Sequence, residues 1–508
     1  MVALIPRRLF CTKISRNCHQ HQLQWSVKQV TKSNFNDSLH DFHSHLSSSD
    51  FVAVSFQNTG SFSAAWHRVS SFDCPETAYL KARRAADRFQ LLQFAVCPFT
   101  ISGSKVTAHP YNFHLFPRDE LNIGMPSYSF SCQTSYLTAM AQQGFDFNAC
   151  IYDGISYLSR AQELVAKVRM GNPIAIHHVV KPTSTPPSVA DTIFVERVKS
   201  RVKHWKKACA DSSSRKTDDF SVIHSKFIGP LPLNMDEFLC SLRLVFPHVF
   251  DVNHLMKEIG PLENVTNIPA AISYLKNRFF APIDMEISHG ALLNEGKIHG
   301  QTVLRICHLF AKLCSVLRIT PGAIQSSDDN ITSRLGGYAH SFKSCSVSSQ
   351  ESVDGRIRIW TKSPRKVGCK HLVFLWGFRD SLSAGMLKSL LQGSHDVFSE
   401  EFDVCLVDKS CAIVVFLQPN LSQAFLDIMS SEGISGSLRE LVSEGLRAAG
   451  YETYKRACGL GYWEADLASA LDKASATPDC FSQSGSETNP SEVYWCNDLM
   501  INLATCEV

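Results

Sequence analysis

Runs of apolar and β-branched residues separated by turn residues predict a sheet with helices packed against it in the first third of the chain. Residues 51–56 are an apolar, β-rich run that ends at the turn residues 58–60, which is typical of a buried strand. A helix is predicted to begin at Pro75, and further strands at 91–97 and 112–116. The order strand, helix, strand, strand predicts a mixed α/β sheet.

A second pattern of strands and helices follows a Ser-, Asp- and Gly-rich stretch, 326–360, that we interpret as a linker. Three strands and two helices are predicted after it, in chain order at 372–378, 382–391, 402–407, 412–417 and 421–429. This β-α-β-β-α order over 361–450 is that of a small RNA-recognition-type (RRM-like) domain. The Ser-rich and acidic remainder, 451–508, is predicted to be a partly disordered tail.

Aromatic side chains on the first strand of this second unit are candidate RNA contacts. Phe374 and Trp376 are two positions apart, so they face the same side of the sheet. An aromatic sheet face can stack nucleic-acid bases, and Phe416 on a neighbouring strand is a third candidate. The alternative is that another part of the protein covers these rings, which would make them core residues.

Composition narrows the class of protein. A chain of 508 residues predicts two or three domains, and 44% hydrophobic with 19% charged residues is typical of a globular protein. The longest apolar run, 411–417, is too short to span a bilayer, so no membrane segment is expected. With a net charge of only +3, an RNA-binding protein would depend on local basic patches, such as the predicted helix at 191–209. The 18 cysteines form no CxxC pair, which argues against structural zinc and favours a reducing compartment.

The N-terminus is basic and contains no acidic residue before Asp37. The basic residues that precede it are Arg7, Arg8, Lys13, Arg16, Lys28 and Lys32. Residues 1–32 are therefore interpreted as an organellar transit peptide, which predicts a mitochondrial location. The alternative is a basic arm on a protein of the nucleus and cytoplasm.

Several short blocks resemble the poly(A)-specific ribonuclease family, in that family's order. They include Phe-Asp-Cys-Pro-Glu at 72–76, Asn-Phe-His-Leu-Phe-Pro at 112–117, Gly-Phe-Asp-Phe-Asn at 144–148 and Gly-Pro-Leu-Pro at 229–232. The resemblance covers most of 34–455. It implies an RNase H-like exonuclease core of the DEDDh type over 33–325, Mg²⁺ as cofactor, poly(A) or other single-stranded RNA as ligand, and assembly as a homodimer.

The same resemblance implies positions for the catalytic acids, and most of them are replaced. Ser55 and Gln57 stand where the family has an Asp and a Glu on the first strand, and Thr302 stands where its last Asp belongs. The family's next Asp has two candidates, Asp218 and Asp219, and counting back from Pro230 favours Asp219, which is at most the one metal ligand expected. His299 lies two residues from the position of the family's histidine, and the family's RNA-binding insert is missing near 210–220.

These replacements bear on catalysis, because the reaction of such an enzyme depends on two Mg²⁺ ions held by carboxylates. We therefore expect a protein related to enzymes of mRNA poly(A) tails in which catalysis is impaired or lost, acting as an RNA binder or as the partner of an active relative. The first alternative is an active Mg²⁺-dependent 3′-exoribonuclease, a deadenylase that releases 5′-AMP. The second is a structural partner that forms a dimer and does not contact RNA.

The transit-peptide hypothesis predicts that residues 1–40, fused to a fluorescent reporter, carry it to mitochondria. The basic, acid-free composition is the physical reason. Microscopy beside a mitochondrial marker is the measurement, with the reporter alone as the control. A signal confined to nucleus and cytosol would contradict the hypothesis.

Overall fold

The computed structural model describes residues 26–118, 129–170, 217–317, 365–378, 382–476 and 492–495, with short gaps at 247, 258, 263–264, 266–267, 279–282, 288–299, 432–433, 435–436 and 464–465. The predicted linker, the predicted basic helix at 191–209 and residues 1–25 of the predicted transit peptide lie outside these ranges. Within the described residues no helix is both long and apolar enough to cross a membrane.

A six-stranded mixed sheet lies at the centre of the first domain. Its strands are β1 (Lys28–Val30), β2 (Phe51–Asn58), β3 (Leu91–Ser102), β4 (Lys105–Ala108), β5 (Tyr111–His114) and β6 (Asp284–Ile287). The long strand β3 pairs antiparallel with β2 along one edge. Along its other edge it pairs antiparallel first with β5 and then with β4. The outermost strands are parallel to their neighbours, β1 to β5 and β6 to β4. Pro98, which has no N–H to donate, lies where β3 changes partner from β5 to β4. The predicted mixed α/β fold is confirmed.

Helices cover both faces of this sheet. In the described part of the first domain they are α1 (Phe35–Ser47), α2 (Pro75–Arg88), α3 (Thr134–Gln142), α4 (Phe147–Asp153), α5 (Arg160–Arg169), α6 (Thr217–Ile223), α7 (Met235–Val245), α8 (Val252–Lys257), α9 (Ile268–Arg278) and α10 (Gln301–Leu317). Ala53 and Cys97 belong to the core on the α10 side, whereas Val54 and Val96 pack on the side of α2 and α7. The alternation of side chains along each strand produces these two cores.

The second domain is a four-stranded antiparallel sheet with helices on both faces. The strands of this sheet are β8 (Leu372–Trp376), β9 (Phe402–Leu406), β10 (Cys411–Phe416) and β11 (Arg447–Gly450), and two further strands of the domain are β7 (Arg365–Gly368) and β12 (Glu492–Trp495). The described helices of the domain are α11 (Ala384–Gln392), α12 (Pro419–Ser430), α13 (Ser437–Ser443), α14 (Tyr451–Leu460) and α15 (Leu467–Ala476). The strand order is β11-β8-β10-β9, and β7 pairs separately with β12. The five predicted elements occur, and β11 adds a fourth strand. The predicted tail at 451–508 contributes α14 and α15, so its first part is folded.

The N-terminal arm predicted over 1–32 extends too far, because β1 lies within it. β1 pairs in parallel with β5, and Val30 is fully buried. Gln29 accepts a hydrogen bond from Asn112 at 2.8 Å. These contacts fix the last residues of the predicted arm in the sheet. A strand of only three residues is too short to show a recognisable pattern in the sequence.

The structure corrects the prediction that Phe374, Trp376 and Phe416 stack on RNA bases, because all three side chains are buried. The Phe374 ring stacks on Tyr454 of α14 with 4.6 Å between centroids. The Trp376 indole N–H donates to Asp472 of α15 at 2.8 Å. Phe416 lies on the opposite face of the sheet, in the core beneath α11 and α12. The alternative, that protein covers these rings, is the one observed.

A buried ion pair of the first domain is contacted by tyrosine side chains of the second domain. Lys81 of α2 lies 2.8 Å from the Asp73 carboxylate, and both side chains are fully buried. The Tyr454 hydroxyl donates to the second oxygen of Asp73 at 2.6 Å. Burial, assisted by the Asp73 charge, raises the pKa of Tyr454 well above its ordinary value, so the phenol keeps its proton and remains a donor. Tyr451 adds a hydrogen bond to the backbone carbonyl of Phe72 at 3.1 Å.

Replacing Trp376 with Ala is expected to lower the free energy of unfolding by about 3–5 kcal/mol, because the change removes a buried ring and leaves a cavity. Thermal and denaturant melting are the measurements. Leu417→Ala serves as the control, since Leu417 is 45% exposed and surface substitutions change stability by about 0.5 kcal/mol or less. Unchanged melting of the Trp376→Ala variant would contradict the core assignment.

Replacing Tyr454 with Phe is expected to cost about 1.5–3 kcal/mol, since the change removes a hydrogen bond to a buried charged group. Equilibrium unfolding measures the loss. Tyr152→Phe is the matched control, because Tyr152 is 72% exposed. Equal stability of the two variants would show that the hydrogen bond to Asp73 does not hold the domains together.

Candidate functional site

A cleft of about 320 Å³ opens where the end of β2 meets the start of α10. Its lining is rich in amides and hydroxyls. The residues are Ser55, Phe56, Gln57, Gln93, Ala95, Asn112, Met140, Gln143, Phe145, Gly300, Gln301, Thr302 and Arg305. The cleft is the candidate functional site because Ser55, Gln57 and Thr302, the three positions at which the resemblance implies acids, lie in it together.

Strand geometry explains how Ser55 and Gln57 reach the cleft. They alternate with Val54 and Phe56, so they share the face of Ala53, which packs in the core on the α10 side. Thr302 lies in the first turn of α10 and is exposed. The end of β2 and the beginning of α10 therefore bring together residues that are far apart in the sequence.

Asp219 and His299 are placed differently. Asp219 lies on α6 and does not line the cleft, but its carboxylate acts on Tyr136: burial first, and then this charge, raises the pKa of the phenol. The Tyr136 hydroxyl donates to Oε1 of Gln57 at 3.1 Å. Asp219 is therefore linked to Gln57 through its electrostatic effect on Tyr136. His299 is outside the described residues.

A buried polar network supports the floor of the cleft, and the sequence analysis missed it. Oε1 of Gln29 accepts from Nδ2 of Asn112 at 2.8 Å and contacts Nε2 of His114 at 3.0 Å. Because that oxygen can only accept, Nε2 of His114 carries the proton, and Nδ1 faces the Gln93 amide at 3.4 Å. The available signal was the presence of polar residues inside strands that are otherwise apolar.

A Cys–His pair beside this network does not form a nucleophile. Sγ of Cys150 lies 3.7 Å from Nδ1 of His114 and donates to the Leu92 carbonyl at 3.2 Å. Burial raises the pKa of Cys150 to about 12, so the sulfur remains a thiol at neutral pH. Nucleophilic attack requires the thiolate, and the pair is therefore structural.

The described residues of the cleft do not suit a pair of magnesium ions. Hard divalent cations require carboxylate oxygens, but no carboxylate lines the described cleft, and its one charged lining residue is the cation Arg305. No group of three or more His, Cys, Asp or Glu side chains in the described parts of the chain could hold a metal ion. The donor set favours an anion or a polar ligand.

Comparison with known proteins identifies relatives. The model of the CAF1 family ribonuclease matches residues 30–219 and 216–297. The chain is 43% identical to a poly(A)-specific ribonuclease PARN-like protein of Arabidopsis thaliana, over 95% of this chain and 96% of that protein. That alignment spans 602 positions, more than the 508 residues of this chain, so the relative contains stretches that have no counterpart here.

Two further matches are more distant. The chain is 36% identical to the poly(A)-specific ribonuclease PARN of Arabidopsis thaliana over 186 residues, which is 35% of this chain and 27% of that protein. Among solved structures, it is similar to S. pombe Pop2p in its Mg²⁺- and Mn²⁺-bound form, with a TM-score of 0.36 and 16% identity over 59% of this chain and 96% of that one.

Proposed function

The chain belongs to the CAF1 ribonuclease family and resembles its poly(A)-specific members, and on this premise we propose that it binds poly(A) or other single-stranded RNA with impaired or lost hydrolysis. The observation that supports the proposal is the cleft, where Ser55, Gln57 and Thr302 stand together at positions for which the resemblance implies carboxylates. A cleft so changed retains hydrogen-bonding groups for RNA without the negative charge that holds magnesium.

A protein with this property would act on mRNA poly(A) tails in one of two ways. It would occupy the 3′ end as a homodimer, or it would pair with an active relative as a heterodimer. We propose mitochondria as the location, on the basic and acid-free composition of the residues that precede β1.

A second candidate, an active Mg²⁺-dependent 3′-exoribonuclease that releases 5′-AMP, is favoured by one observation. Burial, and then the Asp219 carboxylate, raises the pKa of Tyr136, whose hydroxyl donates to Gln57 in the cleft, so one acid of the implied set acts on a side chain bonded to the cleft. That acid would need further ligands to bind two metal ions.

The purified chain, incubated with labelled oligo(A) and Mg²⁺ or Mn²⁺, is expected to bind the oligonucleotide without shortening it. Its affinity should fall with salt, since phosphate contacts release counterions. Gel analysis and fluorescence anisotropy measure the two properties, with an active poly(A)-specific ribonuclease as the positive control. Metal-dependent shortening would establish the second candidate instead, and binding to a relative without RNA binding would establish a partner role.

A gain-of-function variant sharpens this test. Ser55→Asp, Gln57→Glu and Thr302→Asp together are expected to tighten Mn²⁺ binding by at least about tenfold, because affinity for such cations rises with the number of charged ligands. Isothermal titration measures the change.

The matched control places the same three changes elsewhere: Ser47→Asp, Gln423→Glu and Thr138→Asp, all at exposed positions. Equal Mn²⁺ affinity in the two triple variants would mean that the cleft is not the degenerate metal site.

A further inference from the structure

We propose that the cleft binds the phosphate of a ribonucleotide directly, through Arg305, the first turn of α10 and Gln57, with no metal ion between protein and phosphate. This inference rests on the proposed function and names the ligand chemistry of that same site. Its basis is the set of hydrogen-bond donors in the cleft. They stand where the resemblance implies carboxylates that would bind metal ions.

The start of α10 supplies the positive side of the cleft. Gly300, Gln301 and Thr302 line it, and the first backbone N–H groups of a 17-residue helix have no partners within the helix and carry the positive end of its dipole. Arg305, one turn further along, is exposed and lines the same space. A guanidinium next to a helix N-terminus is a favourable arrangement for phosphate oxygens.

Gln57 adds a donor because its orientation is fixed. The Tyr136 hydroxyl donates to Oε1 of Gln57 at 3.1 Å, which leaves the Nε2 group of that amide directed away from Tyr136. At the position where the resemblance implies a metal-binding carboxylate, the cleft therefore offers the Nε2 amide donor of Gln57.

An independent observation indicates that a ligand is expected there. Oδ1 of Asn112, in a fully buried residue that lines the cleft, has no hydrogen-bond partner among the described residues. Its amide cannot turn over without breaking the bond from Nδ2 to Gln29. The acceptor faces the start of α10, where Gly300 has a φ of 82° and a Cβ would lie 3.0 Å from Cβ of Asn112.

A buried acceptor without a partner is rare, and a small change at the Gly300 turn would let a hydroxyl of a ligand supply the donor that it lacks. A ribose hydroxyl next to a phosphate supplies that donor together with the anion. The volume of about 320 Å³ lies at the lower end of the range for small-molecule sites, roughly 300–1,000 Å³. A ribonucleoside monophosphate, free or at the end of an RNA chain, is the ligand class that combines both features.

The test is titration of the full chain with 5′-AMP in EDTA, beside adenosine and inorganic phosphate. AMP is expected to bind without metal, and Arg305→Gln to weaken it by about tenfold or more, since charge-assisted hydrogen bonds to phosphate are among the strong ones. Arg278→Gln, at an exposed position at the end of α9, is the control and should bind as the wild type does.

The Asn112 acceptor is tested with 2′,3′-dideoxy-AMP. The wild type should bind it more weakly than AMP, and the difference should disappear in Asn112→Ala, provided that melting shows the variant to be folded. If that variant does not fold, the wild-type comparison of the two nucleotides decides alone.

AMP binding that is abolished by EDTA, or that is equal in Arg305→Gln and Arg278→Gln, would overturn the inference. Oligo(A) binding that persists in both cases would leave the proposed function standing while the direct phosphate site fails. Metal-dependent shortening of oligo(A), with AMP still bound in EDTA, would overturn the proposed function and retain the phosphate site.

Discussion

The buried contact of Asp73 with Lys81 and Tyr454 is the interaction on which the arrangement of the two domains depends. Two opposite charges removed from water are stable only when close and fully hydrogen-bonded, and here the first domain supplies both charges while Tyr454 of the second domain completes the hydrogen bonding of Asp73. Removing one charge would leave the other uncompensated. The Tyr454 hydrogen bond ties α14 to the segment that begins α2, on the face of the second sheet that α14 and α15 cover.

That covering determines which surface remains for a ligand. The aromatic face of β8 is used in packing, so Phe374 and Trp376 stabilise the protein instead of contacting RNA. The amide, hydroxyl and guanidinium side chains that could contact a ligand line the cleft of the first domain instead. There the buried network of Gln29, Asn112 and His114 holds the floor rigid, and Arg305 gives the site a positive charge.

Local sequence determined the fold class and part of the site. The alternation along β2 was enough to place Ser55 and Gln57 on one face. The blocks around 72–76 and 229–232 indicated the family, which the comparisons confirm. The sequence alone also shows that Ser55, Gln57 and Thr302 carry no negative charge at positions where the resemblance implies carboxylates, and residue type decides which ions a position can hold.

Only the tertiary structure decided what each of these residues faces. Tyr454 bonds Asp73 across 381 positions of the chain, and no local pattern reports such a contact. An aromatic face has the same sequence pattern whether solvent or a helix covers it. For this reason Phe374 was predicted to bind RNA, although it is buried in the structure. Likewise β1 is too short to be recognised in the sequence. The surroundings of Asn112 also come from distant segments, because Gln29 binds its amide nitrogen and Gly300 lies beside its unpaired oxygen. Local periodicity fixes the direction of a side chain relative to its own element, and packing between elements fixes its surroundings.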